Sequence, residues 1–199
     1  MPEETTTPRT GWAAIATIPN LISLTRLACI PLFVWMLFGG SNRTDAALLL
    51  GALGATDWVD GWFARRFNQV TDLGKILDPT ADRLLLLVAA FSLIIDGSVP
   101  WWFAVAALIR EGLVGLGALV LAALGARRIE VTWWGKTATF SLLWAFPCFL
   151  AGQSTAFAHE WFAVAAWIFG IPGLVIAWWS AAGYLPEAQQ ALRDGRANK

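Results

Sequence analysis

The sequence is poor in charge and in cysteine. Only 14% of its 199 residues are charged, and the formal net charge is zero. A soluble domain of this length would need more polar surface, and the balanced charge gives no reason to expect a nucleic-acid partner. The two cysteines, Cys29 and Cys148, lie in apolar segments, which argues against a disulfide framework and against a zinc site.

The sequence also lacks the ten-residue alternation of a membrane β-barrel and the cleavage site of a signal peptide. Apolar residues make up 57% of the chain, and the mean hydropathy is +0.59. Six apolar segments are each long enough to cross a hydrocarbon core of about 30 Å. They cover residues 21–39, 45–67, 75–96, 100–124, 134–152 and 160–182. The sequence therefore predicts an all-α integral membrane protein with six transmembrane helices in one bundle.

The remaining residues are assigned to the two ends of this bundle. We expect residues 1–10 to form a disordered cytoplasmic tail, and residues 11–18 to form a short N-terminal juxtamembrane helix along the membrane surface. Residues 11–183 then make a single six-helix domain. Residues 184–199 are expected to form a second cytoplasmic tail.

Basic residues predict the orientation of the bundle. Most lysines and arginines lie at one side, in the two tails and beside the second and fourth interhelical turns, whereas Arg43 alone lies at the other side. We assign Arg26, near the start of the first segment, to the same side as most of the other basic residues. This bias places both termini at the cytoplasmic face of the cell (inner) membrane. Three tryptophan pairs, at positions 101–102, 133–134 and 178–179, fall near predicted span ends, where they would act as interfacial anchors.

Charge is concentrated in one stretch, TDWVDGWFARRFNQVTDLGKILDPTADR, at residues 56–83. Asp57 and Asp60 are three residues apart on the second predicted helix, and Asp78 and Asp82 are four apart on the third, so each pair shares a helix face. A short turn would make the two helices antiparallel and bring the four carboxylates into one cavity near the cytoplasmic surface. Carboxylates at membrane depth are costly, and they indicate function by default. We interpret three other charges, at positions 66, 72 and 75, as a solvated rim.

The converging carboxylates predict a metal site. Hard oxygen ligands favour Mg²⁺ or Mn²⁺, and two such ions would clamp a phosphoryl group during its transfer. The absence of histidine and cysteine from the stretch argues against zinc. Gly61 and Gly74 would let a ligand approach the backbone, and Arg65 is suited to contact phosphate oxygens. Asp82, one turn beyond Asp78, could reach an acceptor hydroxyl as a general base.

The full pattern, D-x-x-D-G-x-x-A-R-x₈-G-x-x-x-D-x-x-x-D, resembles the signature of the CDP-alcohol phosphatidyltransferase family at all eight defined positions. The resemblance implies transfer of a phosphatidyl group from CDP-diacylglycerol to an alcohol, with release of CMP. It implies that Asp82 is both a shared metal ligand and the general base. The other implied metal ligands are Asp57, Asp60 and Asp78, and the implied cytidine diphosphate site contains Asp57, Gly61, Ala64, Arg65 and Gly74.

The acceptor is indicated by residues outside this signature. The segment IPNLISLTRLACIPLFV is similar to the phosphatidylglycerophosphate synthase and cardiolipin synthase branch of the family. Arg83, Arg110 and Lys136 are the cations available to bind an acceptor. Glycerol 3-phosphate enzymes of this branch tend to carry further cations near the positions of Arg110 and Lys136, and this sequence lacks them. This difference favours phosphatidylglycerol as the acceptor over glycerol 3-phosphate. Alternatively, Arg110 pairs with Glu111, or Arg110 and Lys136 extend to the lipid headgroups.

Two further possibilities concern function and assembly. A six-span bundle with buried carboxylates could also be a cation transporter, although the chain shows no inverted repeat. Small residues on the fourth predicted helix, around Gly112 and Gly115, would permit a homodimer.

Overall fold

The computed structural model describes residues 18–40, 42–66, 74–123, 132–155 and 158–197, with side chains for 20–40, 42–56, 80–121, 132–155 and 158–183. Every regular element within these residues is a helix, and six are present. They are α1 (Ile18–Phe38), α2 (Arg43–Arg66), α3 (Gly74–Asp96), α4 (Trp101–Ala123), α5 (Trp133–Gly152) and α6 (His159–Ala197).

The helices follow the predicted apolar segments. The first five begin and end within three residues of the predicted bounds, so the all-α prediction is confirmed for the described part of the chain. The sixth predicted segment, residues 160–182, agrees with the apolar stretch His159–Gly183, and α6 itself continues beyond it to Ala197. Its last turns are rich in alanine, glutamine, leucine and arginine, which favour a helix without an apolar stripe. The predicted tail at 1–10 and residues 11–17 of the predicted juxtamembrane helix lie outside the described residues.

One face of α1 is buried over the described length of the helix. Its buried residues recur every three or four positions, which is the period of a helix face: Asn20, Ser23, Arg26, Ile30, Phe33 and Leu37. The first three are polar and the last three are apolar. The apolar half of this face joins the main hydrophobic core, so the polar half is the part that needs hydrogen-bonding neighbours.

Side-chain contacts at both ends show how α2 and α3 run. Arg43 at the start of α2 lies 3.2 Å from the carboxylate of Asp96 at the end of α3. Arg26 of α1 contacts both Thr56, in the second half of α2, and Asp82, in the first half of α3. The two helices are therefore antiparallel, as predicted, and α1 packs against both of them.

Small residues bring α4, α5 and α6 close together. A Cβ atom added at Gly173 of α6 would lie 2.7 Å from the Cβ of Ser141 on α5. A Cβ atom at Gly170 would lie 3.0 Å from the ring of Phe103 on α4. Close backbone approach of this kind supports helix association where lipid supplies no hydrophobic driving force.

The outer surface of the bundle is apolar. Large apolar side chains are exposed along α4 and α6, including Ile109, Leu113, Leu116, Trp161, Ile168, Val175 and Trp179. Three segments of the described chain are long and apolar enough to cross a membrane, namely Asn20–Phe38, Trp101–Leu121 and His159–Gly183. These are the features of a membrane protein. Membrane crossing by α2, α3 and α5 stays a prediction.

Candidate active site

The eight signature positions lie on two neighbouring helices. Helix α2 contains Asp57, Asp60, Gly61, Ala64 and Arg65, and α3 begins at Gly74 and contains Asp78 and Asp82. The helical spacing within each aspartate pair is therefore as predicted. Asp82 is the signature residue whose side chain is described, and the side chains of the other positions lie outside the described residues.

The carboxylate of Asp82 is held by an arginine from a third helix. Arg26 Nη1 of α1 forms an ion pair with Asp82 Oδ1. The Arg26 side chain is fully buried, whereas 24% of the Asp82 side chain is exposed. The ion pair therefore joins a fully buried cation to a partly exposed aspartate.

The same guanidinium also reaches α2. Arg26 Nη2 donates to Thr56 Oγ1 at 3.4 Å, and the Thr56 hydroxyl donates in turn to the Leu53 carbonyl at 2.7 Å. Thr56 directly precedes Asp57 in the sequence. One arginine side chain therefore connects the start of the signature on α2 with its last position on α3.

Arg26 is more than the flanking cation that the pattern of basic residues indicated, and the structure corrects that interpretation. The residue lies inside α1 and is 1% exposed. Two signals could have identified it. An arginine within an apolar membrane helix indicates a functional site, and Arg26 follows Asn20 and Ser23 at three-residue intervals on one face.

A second charged cluster joins α3, α4 and α6. Glu111 Oε1 lies 3.3 Å from Arg83 Nε, and Glu111 Oε2 lies 2.8 Å from Arg110 Nη1. Arg110, which is 4% exposed, also donates from Nε to the Ala177 carbonyl at 3.2 Å. The structure thus brings two of the three predicted acceptor-binding residues together around one carboxylate. From the sequence, Glu111 was expected only as a possible partner of Arg110.

Lys136, the third predicted acceptor-binding residue, lies in the first turns of α5 and is exposed. Thr132 caps this helix and lies 3.0 Å, between hydroxyl oxygens, from Ser180 of α6. Ser180 is three residues beyond Ala177, which accepts from Arg110. Lys136 and Arg110 are therefore at a similar level of the bundle, on two helices that both pack against α6.

The comparison with known proteins identifies the family. The sequence profile of the CDP-alcohol phosphatidyltransferases matches residues 16–172, a region that contains the complete signature. This chain belongs to the CDP-alcohol phosphatidyltransferase family. Its enzymatic assignment as a transferase follows and favours the enzymatic interpretation of the acidic residues over the transporter alternative.

Relatives named for two different reactions match more than half of the chain. A cardiolipin synthase (CMP-forming) of Streptomyces coelicolor is 36% identical over 90% of this chain and 86% of its own length. A CDP-diacylglycerol–glycerol-3-phosphate 3-phosphatidyltransferase of Haemophilus influenzae is 33% identical over 89% of this chain and 96% of its own length. A Bacillus subtilis protein with the latter name is 38% identical over 54% of this chain and 63% of its own length.

CDP-alcohol phosphatidyltransferases are generally dependent on divalent metal ions. The donors of this chain fit such ions, since the signature supplies carboxylate oxygens and no nitrogen or sulfur ligand. Asp82 provides one of these donors at a partly exposed position. No group of three or more His, Cys, Asp or Glu side chains that could hold a metal occurs among the described residues, and the side chains of Asp57, Asp60 and Asp78 lie outside those residues.

Proposed function

We propose that this CDP-alcohol phosphatidyltransferase transfers a phosphatidyl group from CDP-diacylglycerol to phosphatidylglycerol, forming cardiolipin and releasing CMP. The observation that carries the proposal is the complete eight-position signature on α2 and α3 within the region matched by the family. The Streptomyces relative, which aligns over nearly the whole chain, is named for this reaction. Glycerol 3-phosphate is the alternative acceptor, as in the name of the Haemophilus relative.

The four aspartates would hold Mg²⁺ or Mn²⁺. Asp57, Asp60 and Asp78 would be ligands, and Asp82 would be a ligand shared between two ions. When bound, the ions would supply Lewis-acid stabilisation of the charge on the diphosphate. The remaining signature residues would bind the cytidine diphosphate group. Gly61, Ala64 and Gly74 would leave room for it, and Arg65 would pair with its phosphate oxygens.

Asp82 would also act as the general base. The acceptor hydroxyl oxygen attacks the phosphorus that carries the diacylglycerol, and the bond from that phosphorus to the CMP oxygen breaks. CMP leaves with the electron pair of this bond, while Asp82 takes the hydroxyl proton. A base has to lie within hydrogen-bond distance of the proton that it removes, and the partial exposure of the Asp82 side chain supports this role.

The charge around Glu111 supports a phosphodiester acceptor. Arg83 and Arg110 share this one carboxylate, so the three side chains together carry a single positive charge. Because Glu111 offsets part of their charge, the two arginines offer less to the dianionic phosphate of glycerol 3-phosphate than two unpaired cations would. Lys136 at the start of α5 would complete this acceptor site.

The membrane arrangement is part of the proposal. All six helices would span the cell (inner) membrane, with both termini and the active site on the cytoplasmic side. The nucleotide of CDP-diacylglycerol would then be in water while its acyl chains remain in lipid.

We also propose a homodimer that uses the exposed face of α4, where a Cβ atom at Gly112 or Gly117 would meet no described atom within 4 Å. Cross-linking of single cysteines placed on this face would test the dimer.

An acceptor assay tests the reaction. The purified protein in phosphatidylglycerol-free detergent micelles would receive CDP-diacylglycerol, Mn²⁺ or Mg²⁺, and either acceptor. We expect CMP and cardiolipin with phosphatidylglycerol, and no CMP when a chelator replaces the metal. Phosphatidylglycerophosphate as the sole product would overturn the choice of acceptor. Ion flux in liposomes without any CMP release would overturn the enzymatic assignment.

A further inference from the structure

Arg26 is an unusual residue for the middle of a buried helix face. Its side chain is fully buried, it follows the buried polar residues Asn20 and Ser23, and it precedes the buried apolar Ile30. A guanidinium removed from water is costly unless it is paired and hydrogen-bonded. Arg26 meets this requirement through Asp82 and Thr56, which lie on two other helices.

The geometry at Arg26 restricts the position of the Asp82 carboxylate. A guanidinium is planar, and its donors point in fixed directions. Nη2 is directed to Thr56 on α2 while Nη1 is directed to Asp82 on α3, so the plane of the group is set by two helices at once. The Asp82 carboxylate is thereby held towards the part of α2 that leads into Asp57.

From these contacts we propose that Arg26 is a positioning residue for Asp82. The inference rests on the proposed function, in which Asp82 is the general base and a metal ligand. Arg26 sets the direction of the carboxylate before substrate binds, so that the carboxylate is aligned with the reacting groups. Catalysis depends strongly on such alignment, and a displacement of about 1 Å can lower the rate by roughly 100-fold.

Mutation of a purely structural ion pair would have a different measurable effect. Loss of a structural contact lowers the melting temperature and the fraction of folded protein, but each folded molecule keeps its turnover number. Loss of a positioning contact lowers kcat for each molecule that still binds Mn²⁺. The number of Mn²⁺-binding sites at saturating Mn²⁺, measured by electron paramagnetic resonance, counts the folded molecules even where a misplaced Asp82 lowers the affinity for the ion, and therefore separates the two roles.

The test compares four variants of the full-length purified protein. Arg26→Gln removes the charge and most of the donors, whereas Arg26→Lys keeps the charge but loses the planar geometry. Thr56→Val removes the acceptor that orients Nη2 while Arg26 stays in place. Arg43→Gln is the matched control, because Arg43 also joins two helices through an aspartate, at 3.2 Å from Asp96 at the opposite end of the pair.

We expect kcat per Mn²⁺-binding molecule to fall by about 100-fold in Arg26→Gln and by about tenfold in Arg26→Lys. Thr56→Val should lower it by about threefold through looser alignment. Arg43→Gln should keep the wild-type kcat. The KM for CDP-diacylglycerol should change little in all four, since Arg26 acts through Asp82.

Wild-type kcat in Arg26→Gln, or a loss fully accounted for by fewer Mn²⁺-binding molecules, would overturn the positioning role. If Arg26→Gln does not fold, Thr56→Val decides, and an unchanged kcat in that variant overturns the proposal. A wild-type protein that releases no CMP with either acceptor would instead refute the proposed function, so the two failures can be told apart.

Discussion

Arg83 of α3 and Glu111 of α4 form an interhelical ion pair, with Nε and Oε1 separated by 3.3 Å. The second oxygen of the same carboxylate accepts from Arg110. The residue directly before Arg83 is Asp82, the proposed base. This relationship connects the end of the signature to the helix that carries the proposed acceptor site.

Replacement of Glu111 by glutamine should weaken this connection. The glutamate side chain is 10% exposed, and its loss leaves two arginines without their shared anion. We expect destabilisation of about 1.5 kcal/mol, measured as a lower melting temperature in detergent, together with a higher KM for the acceptor. Glu160→Gln is the control, because Glu160 is exposed at the start of α6. An unchanged acceptor KM in Glu111→Gln would show that the cluster of Arg83, Glu111 and Arg110 is not part of the acceptor site.

Arg110 and Lys136 should respond differently to loss of charge. Arg110 is buried and bonded to Glu111 and Ala177, so Arg110→Gln should lower the melting temperature and raise the acceptor KM. Lys136 is exposed, so Lys136→Gln should raise the acceptor KM, by roughly tenfold for one lost charge-assisted hydrogen bond, at an unchanged melting temperature. Steady-state kinetics and thermal unfolding in parallel check both. A wild-type KM in Lys136→Gln would remove this residue from the acceptor site.

Asp82→Asn should nearly abolish the transferase reaction. The amide keeps the shape of the side chain but cannot accept the hydroxyl proton, and general-base catalysis contributes about 100-fold to 10,000-fold. CMP release measures the effect. Asp96→Asn is the control on the same helix, because Asp96 pairs with Arg43 at the far end of α3. Turnover of Asp82→Asn close to that of the wild type would refute the role of Asp82 as the base.

Gly173→Ala should destabilise the α5–α6 contact. The added Cβ would lie 2.7 Å from the Cβ of Ser141, and overpacking of this kind costs about 1–3 kcal/mol. Gly183→Ala is the matched control on the same helix, since its Cβ would meet no described atom within 4 Å. There alanine should be neutral or should stabilise the helix by up to about 1 kcal/mol. Equal melting temperatures for the two variants would contradict the observed packing.

Much of the fold was predictable because it depends on local properties of the chain. The lengths of the apolar runs predicted the bounds of α1 to α5, and the three- and four-residue spacings predicted which aspartates share a helix. The predicted sixth span agrees with the apolar stretch His159–Gly183, but the end of α6 was not predicted, since hydropathy marks the apolar stretch and not the helix. The polar residues after position 182 favour a helix without being apolar.

The sequence by itself determined the helical class, the placement of the signature on α2 and α3, and the family. Tertiary structure alone decided the partners of the charged side chains. Arg26 and Asp82 are 56 residues apart, and Arg110 and Ala177 are 67 apart. Spacing along a helix defines a face, but only the packing of helices decides which faces meet. For that reason the contact between the buried Arg26 and the proposed base, Asp82, could be identified only from the tertiary structure.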